Sequence, residues 1–198
     1  AELVIVHSKI DEEKFVVDGF GSHRHDLMFN DFILVGPKDD PAQIGAAKTT
    51  VEAFQKIATA KARFASRSDD SGTHKAERRF WRTAGATPKE ASGKWYLETG
   101  LGMGATLNFA VQADAYALTD RATWLTFKNK TTHMPLYQGD PALFNQYGVV
   151  LVSQTHCPTI KAAESRIFVD WLLSPKGQNA IATFQHENRP LFFPNATP

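Results

Sequence analysis

The chain carries one cysteine, Cys157, in 198 residues. A lone cysteine closes no intramolecular disulfide and builds no thiolate zinc site by itself. Long hydrophobic runs are missing as well: no stretch of about 18 apolar residues occurs, so no segment reads as a bilayer-spanning helix. Charge of one sign is not in excess either. Lys and Arg number 22 against 21 Asp and Glu, a formal charge of +1, which supplies no field for drawing in nucleic acid or an anionic membrane. The seven histidines include no H-x-x-x-H pair with an adjacent glutamate, which excludes that zinc-peptidase motif. No internal repeat and no low-complexity tract is found.

What is present is a 42 % hydrophobic chain long enough to bury a core as one large domain or two small lobes. Leu3–Val6 is a short apolar run read as a strand buried on both faces, ending at His7-Ser8. "DEEKFVVDGFG" reads as a helix ending at Gly19 or Gly21, and Asp31–Val35 as a strand stopped by Gly36-Pro37. Thr50–Ala60 is a helix with Val51, Phe54 and Ile57 on one face. The alternation continues: "ARFAS" strand, Ser71–Thr83 helix, "KWYLETG" strand, Ala105–Gln112 helix, "AYALT" strand, Asp120–Thr126 helix, and "FNQYGVVLVS" strand. Two helices follow, divided near Ser174-Pro175. Such order predicts an α/β fold with a mostly parallel sheet and helices on both faces. The chain opens inside a strand with no initiator Met, so a processed or truncated piece of a longer protein is expected.

In open α/β sheets ligands collect outside the carboxyl ends of the strands. Three polar clusters follow strands: His7-Ser8, Ser66–Thr73 and Glu98–Asn108. In the second, Asp70 or Ser71 is the expected N-cap, which leaves the first-turn N–H groups of Ser71, Gly72 and Thr73 open to an anion. Ser66, Ser71 and Thr73 add hydroxyl donors, Arg67 adds a planar charged fork, and Asp69 is placed to orient Arg67. Plain helix capping with a solvated Arg67 is the alternative, and the density of glycine, arginine and hydroxyls favours the anion. "GLGMGATLN" offers the amides of Met103, Gly104 and Ala105 to the same anion. As a dinucleotide loop it has Ala105 in place of the last glycine and no clear ribose acid downstream, only Asp120 at a helix start. His74 is expected to face solvent, and Arg121 to lie on a helix surface beside Asp120 as cap. Trp81, Trp95, Trp124 and Trp171 are read as core. A Cys157–His156 nucleophile pair needs geometry that sequence does not supply.

"ILVGPKDDPA", "FASRSDDSGTHKAE", "WYLETGLGMGATLNFA" and "YALTDRATWL", in this order, resemble the substrate-binding protein of the tungstate ABC transporter, over about Ala1 to Asn179. The Arg67-x-Asp69-x-Ser71-Gly72-Thr73 stretch is also similar to the anion loop of phosphate-binding proteins. The resemblance implies a periplasmic-binding-protein-like fold of two α/β lobes clamping an oxyanion, tungstate or molybdate. It implies an extracytoplasmic, non-enzymatic protein that delivers its ligand to an ABC transporter membrane permease, with no cofactor, no bound metal beyond the oxyanion and no nucleic acid. The ligand set carried over is Ser66, Arg67, Ser71, Gly72, Thr73 and the amides of Met103, Gly104, Ala105 and Thr106, with Ser8 in the place of a first-lobe loop residue and Asp69 behind Arg67. The family's first strand and its Thr-Thr-Thr-Ser loop have no counterpart, so the first lobe is expected to be incomplete. The expected divisions are 1–36 as the remainder of the first lobe, 37–62 as a crossing segment and helix, 63–150 as the second lobe, and 151–198 as a return strand with C-terminal helices. The alternative reading is the oxyanion-sensing domain of a cytoplasmic transcriptional regulator, and a third is an enzyme using Ser71 or Cys157 as nucleophile.

Overall fold

A computed structural model describes residues 1–197. In chain order the elements are β1 (Leu3–Val6), α1 (Lys9–Val17), β2 (Gly21–Pro37), α2 (Thr50–Ala60), β3 (Phe64–Ser66), α3 (Gly72–Thr83) and β4 (Tyr96–Glu98). Next come α4 (Met103–Gln112), β5 (Ala117–Asp120), α5 (Arg121–Thr126), β6 (His133–Tyr137) and β7 (Phe144–Val152). The chain closes with α6 (Ala162–Leu173), α7 (Pro175–Thr183), β8 (Gln185–His186), β9 (Arg189–Pro190) and β10 (Phe193–Pro194). It forms two compact units, residues 1–30 with 145–198, and residues 31–144. Segment 37–62 therefore belongs wholly to the second unit.

In the first unit β1 pairs antiparallel with β7, Leu3 opposite Leu151 and Val6 opposite Gly148, and β10 pairs antiparallel with β2. Leu27, Val149, Val169 and Leu172 form its core. β1 is an edge strand with Ile5 39 % and Val6 38 % exposed, which corrects the expectation of burial on both faces: β7 is its one hydrogen-bonded neighbour among the described residues. Arg24 donates from Nε to Glu12 Oε2 at 2.6 Å and from Nη1 to Asp26 at 2.5 Å. Burial pushes the Glu12 carboxyl up, against the pull of Arg24.

In the second unit the latter part of β2 pairs antiparallel with β5 and β6, while β3 and β4 pair parallel and Phe64 bridges in parallel to Tyr116. The expected mostly parallel sheet is thus corrected. Among the described residues, parallel pairing is confined to β3 with β4 and two isolated bridges, Phe64–Tyr116 and Ser92–Tyr96, and the 17-residue β2 meets its partners in antiparallel register. Polar residues between Ser22 and Asn30 hid the first half of β2, because half-exposed strand positions need no apolar side chains.

Local chemistry explains the helices. Thr49 caps α2 by accepting from Glu52 N–H at 3.1 Å, and Lys61 ends it in a left-handed conformation (φ 50°). α2 buries Ala53, Phe54 and Ile57 against α3, where the Phe54 and Trp81 rings meet edge to face at 4.5 Å. Gly36 has to be glycine, since a Cβ there would lie 2.4 Å from the Tyr116 ring. Asp140 fastens the start of α2: it accepts from Thr50 N–H (2.7 Å), Thr50 Oγ1 (2.8 Å), Ala142 N–H (2.9 Å) and Tyr137 OH (3.0 Å). Burial alone would raise its carboxyl, and these donors outweigh that and bring it down to about 2.

Asp140→Ala should therefore lower the unfolding free energy by about 1–3 kcal/mol at neutral pH, measured by urea denaturation. A depressed carboxyl contributes stability above its unfolded-state value and loses it on acidification. The gap between variant and parent should accordingly close as pH falls from about 4 towards 2.

Candidate functional site

The parallel register of β3 and β4 sets Ser66 opposite Glu98, so both strands deliver their chains to the same edge. α3 and α4 begin just beyond it, with Ser71 and Gly102 as N-caps. Thr99 joins the two connections. Its N–H and hydroxyl donate to Ser66 O at 2.9 and 3.0 Å, and its Oγ1 lies 3.0 Å from Thr106 Oγ1 in the first turns of α4.

The turn from Ser66 to Ser71 holds Ser68 and Asp70 at positive φ (48° and 57°), which costs conformational energy for residues other than glycine. Asp69 organises it. Arg67 donates to Asp69 Oδ2 from Nε at 3.0 Å and again from Nη2, as the sequence predicts. Asp69 Oδ1 accepts the Ser71 hydroxyl at 2.6 Å and the Ser71 N–H at 3.2 Å. Desolvation by itself would raise the Asp69 carboxyl, but the Ser71 and Arg67 hydrogen bonds hold it below its ordinary value. Ser71 Oγ also accepts from His74 N–H at 3.4 Å, completing the cap.

The expected ligand residues divide accordingly. Ser71 is spent on Asp69 and on the cap. Ser66 is fully buried with its hydroxyl donated to Glu77 Oε2 at 2.8 Å, and Thr106 is fully buried with its hydroxyl facing two acceptors, Thr99 Oγ1 at 3.0 Å and Leu101 O at 3.2 Å. The Thr106 amide already donates to Gly102 O at 2.9 Å as the first intrahelical bond of α4, so it is not a spare donor. Gly72, half-buried, and Thr73, buried, supply first-turn amides of α3 that have no partner among the described residues. The same is true of Met103, Gly104 and Ala105 in α4, where Gly104 and Ala105 are exposed. A Cβ on Gly102 or Gly104 would meet no atom within 4 Å, so open space lies over that turn. Ser8, in the other unit, donates its N–H to Glu12 Oε1 at 2.7 Å and its hydroxyl to Asp11.

Other candidates are engaged elsewhere. Asp120 caps α5 by accepting from Thr123 N–H (2.8 Å) and Oγ1 (2.6 Å), which removes the acid that a dinucleotide loop would need. Arg121 forks onto Asp31 with two bonds of 2.6 Å. His156 Nδ1 lies 2.9 Å from Gly19 O, away from a role as base for the exposed Cys157. His74 is half-buried instead of solvent-facing: its Nδ1 accepts from Asp70 N–H at 3.1 Å, and burial together with the Arg78 charge lowers its pKa. Of the tryptophans read as core, Trp81 and Trp124 are buried and Trp171 is 39 % exposed.

Sequence reasoning missed Glu77, the most deeply buried carboxylate of this region, 2 % exposed. Its Oε1 accepts from Tyr96 OH at 2.7 Å and Trp81 Nε1 at 3.1 Å. The signal was available, since Thr73, Ala76, Glu77, Phe80 and Trp81 repeat at three- and four-residue intervals along the buried face of α3.

Residues 1–176 match the PBP superfamily domain. The tungstate-binding protein TupA of Peptoclostridium acidaminophilum is 42 % identical over 99 % of this chain and 69 % of its own length. This chain belongs to that family. A Haloferax volcanii protein named for anion binding in an ABC transporter is also 42 % identical, over 99 % of this chain, and the chain spans 58 % of that relative's length. Among solved structures, the tungstate-binding protein TupA from Desulfovibrio alaskensis G20 superposes with a TM-score of 0.80 at 38 % identity, covering all of this chain and 80 % of that one.

Ser71→Ala should cost about 1 kcal/mol of stability through the lost cap, and Ser71→Thr should restore most of it, both measured by urea unfolding.

Proposed function

We propose that this chain binds tungstate or molybdate outside the cytoplasm and presents it to the membrane permease of an ABC transporter, without performing chemistry. One observation carries the reading: the first turns of α3 and α4 open at the same edge, and Arg67, oriented by Asp69, stands in the loop that leads into α3, so that backbone amides and a guanidinium are offered at one edge. The names of the TupA relatives support it. The proposed donors are Arg67 and the amides of Gly72, Thr73, Met103, Gly104 and Ala105. Asp69 orients Arg67.

Tungstate and molybdate are fully deprotonated near neutral pH and need donors only, whereas phosphate keeps a proton and needs an acceptor. Asp69 offers none, because its two oxygens already take bonds from Arg67 and Ser71.

Thermal unfolding with tungstate, molybdate, sulfate and phosphate at matched ionic strength tests this. Ligand at about a hundred times its Kd should stabilise the fold by roughly 2.7 kcal/mol. Stabilisation by tungstate and molybdate but not phosphate is expected, and preferential stabilisation by phosphate would overturn it. Arg67→Ala should weaken binding more than Thr73→Ala, because it removes a charged donor while alanine at position 73 keeps the amide offered to the anion. Equal losses would remove Arg67 from the ligand set.

A further inference from the structure

We propose that Glu77 is a positioning residue of this site, tying the end of β3 to β4 and α3 and setting its own charge against that of the bound oxyanion; the inference rests on the oxyanion reading above. Glu77 receives one hydrogen bond from each of three elements: Ser66 of β3 at 2.8 Å, Tyr96 of β4 at 2.7 Å and Trp81 of α3 at 3.1 Å. Ser66 passes the restraint onward, because its Oγ also accepts from Ser68 N–H at 3.2 Å, at the start of the left-handed turn that presents Arg67. The carboxyl group thus stands one side chain behind the loop that carries the proposed donors. It touches none of them.

A carboxylate in this place is costly to bury unless it is hydrogen-bonded or neutralised. Filling the position with an apolar side chain would suit the surroundings, since Phe54, Phe64, Phe80 and Trp81 pack in the same core. Burial pushes the Glu77 carboxyl up to about 7, so its charge is undecided at neutral pH. The groups acting on it are few. From β4 come Tyr96, itself pushed up by burial, and Glu98, whose negative charge raises Glu77 further. From β3 comes the neutral Ser66. α2 and β5 turn Phe54, Ile57 and Leu118 into this interior, and Asp120 at the end of β5 is spent on capping α5. On α3 itself, His74 and Arg78 lie nearer the first turn and the exposed face, and the Arg67–Asp69 pair lies in the loop above.

The consequence has a definite sign. A doubly negative ligand above Glu77 favours its neutral form, so binding takes up a proton and affinity falls as pH rises through the titration of Glu77. The two hydrogen-bonding arrangements interchange without moving heavy atoms. Ionised, Glu77 accepts from Ser66. Protonated, it donates to Ser66 Oγ, and the Ser66 hydrogen turns to the Tyr96 hydroxyl oxygen 3.0 Å away.

Isothermal calorimetry of the whole chain with micromolar molybdate and tungstate, from about pH 6 to about pH 8.5, tests this. Wild-type affinity should weaken roughly five- to tenfold across the range, with heats near neutral pH that depend on the buffer's ionisation enthalpy. Glu77→Gln should flatten the profile near the wild-type acid limit, which loss of structure alone would not do. Tyr96→Phe removes a donor to the ionised carboxylate, so the midpoint should move to higher pH; this variant carries the test where Glu77→Gln does not fold. An unchanged slope in Glu77→Gln, or an unmoved midpoint in Tyr96→Phe, overturns the role of Glu77 while leaving oxyanion binding intact. Absence of binding by the wild-type chain at every pH overturns the oxyanion reading, and this inference with it.

Discussion

The parallel register that sets Phe64 against Tyr96 and Ser66 against Glu98 is the constraint on which the candidate site depends. Parallel strands finish at one edge, so the helices that follow them begin at one edge. An antiparallel pairing of the same two segments would have carried the first turn of α4 to the opposite edge, away from Arg67. Each strand spans only three residues, too few for backbone pairing alone to hold register. Side chains supply the rest. The Phe64 and Tyr96 rings stack at 6.2 Å, Tyr96 reaches Glu77, and Thr99 bonds to Ser66 on one side and Thr106 on the other.

That edge is built from buried polar groups, which is an expensive way to build anything. Ser66, Glu77 and Thr106 are almost wholly withdrawn from water, and each is hydrogen-bonded, as low-dielectric burial demands. The carboxylates nearer the surface follow the same logic. Asp69 is filled by Arg67 and Ser71, and Glu98 accepts from Ser68 at 2.8 Å and Ser92 at 2.5 Å. The Ser68 and Ser92 bonds hold the Glu98 carboxyl below its usual range. Asp69 and Glu98 are therefore filled by donors within the region, whereas Asp70 stays 74 % exposed with Lys75 at 3.6 Å.

Much of this was legible in the sequence, and what escaped did so for identifiable reasons. The boundaries of α2 and the capping of α3 by Ser71 follow from local signals that tertiary structure does not override. The pairing of Arg67 with Asp69 is a two-residue contact and equally local. The first half of β2 escaped because Arg24 and Asp26 sit in a strand for reasons that lie in Glu12, a partner remote in sequence. Ser66 and Thr106 carry the right functional group for a ligand, yet the side-chain direction that commits them inward is set by the strand pleat and the helix face. Glu77 shows the limit most clearly. Its place on the apolar face of α3 is visible in the spacing, but the three donors that make burial tolerable come from residues up to 19 positions away.

A donor-lined surface sorts anions by protonation before it sorts them by size. It disfavours phosphate, whose remaining proton would face amides and a guanidinium with nowhere to go. Sulfate passes that filter, being as fully deprotonated as tungstate or molybdate. Discrimination against it has to come from dimensions, since the larger oxyanions hold their oxygens farther from the central atom. Flexible side chains are poor rulers for so small a difference. Backbone amides at the heads of two helices are better ones, because their separation is fixed by strand register and by the Thr99–Thr106 link. In the proposed site, the open space beside Gly102 and Gly104 would set how large an anion reaches the α4 amides. For the proposed oxyanion site, selectivity among deprotonated ligands would reside in the spacing of β3, β4 and the turns that follow them, more than in the choice of any one ligand side chain.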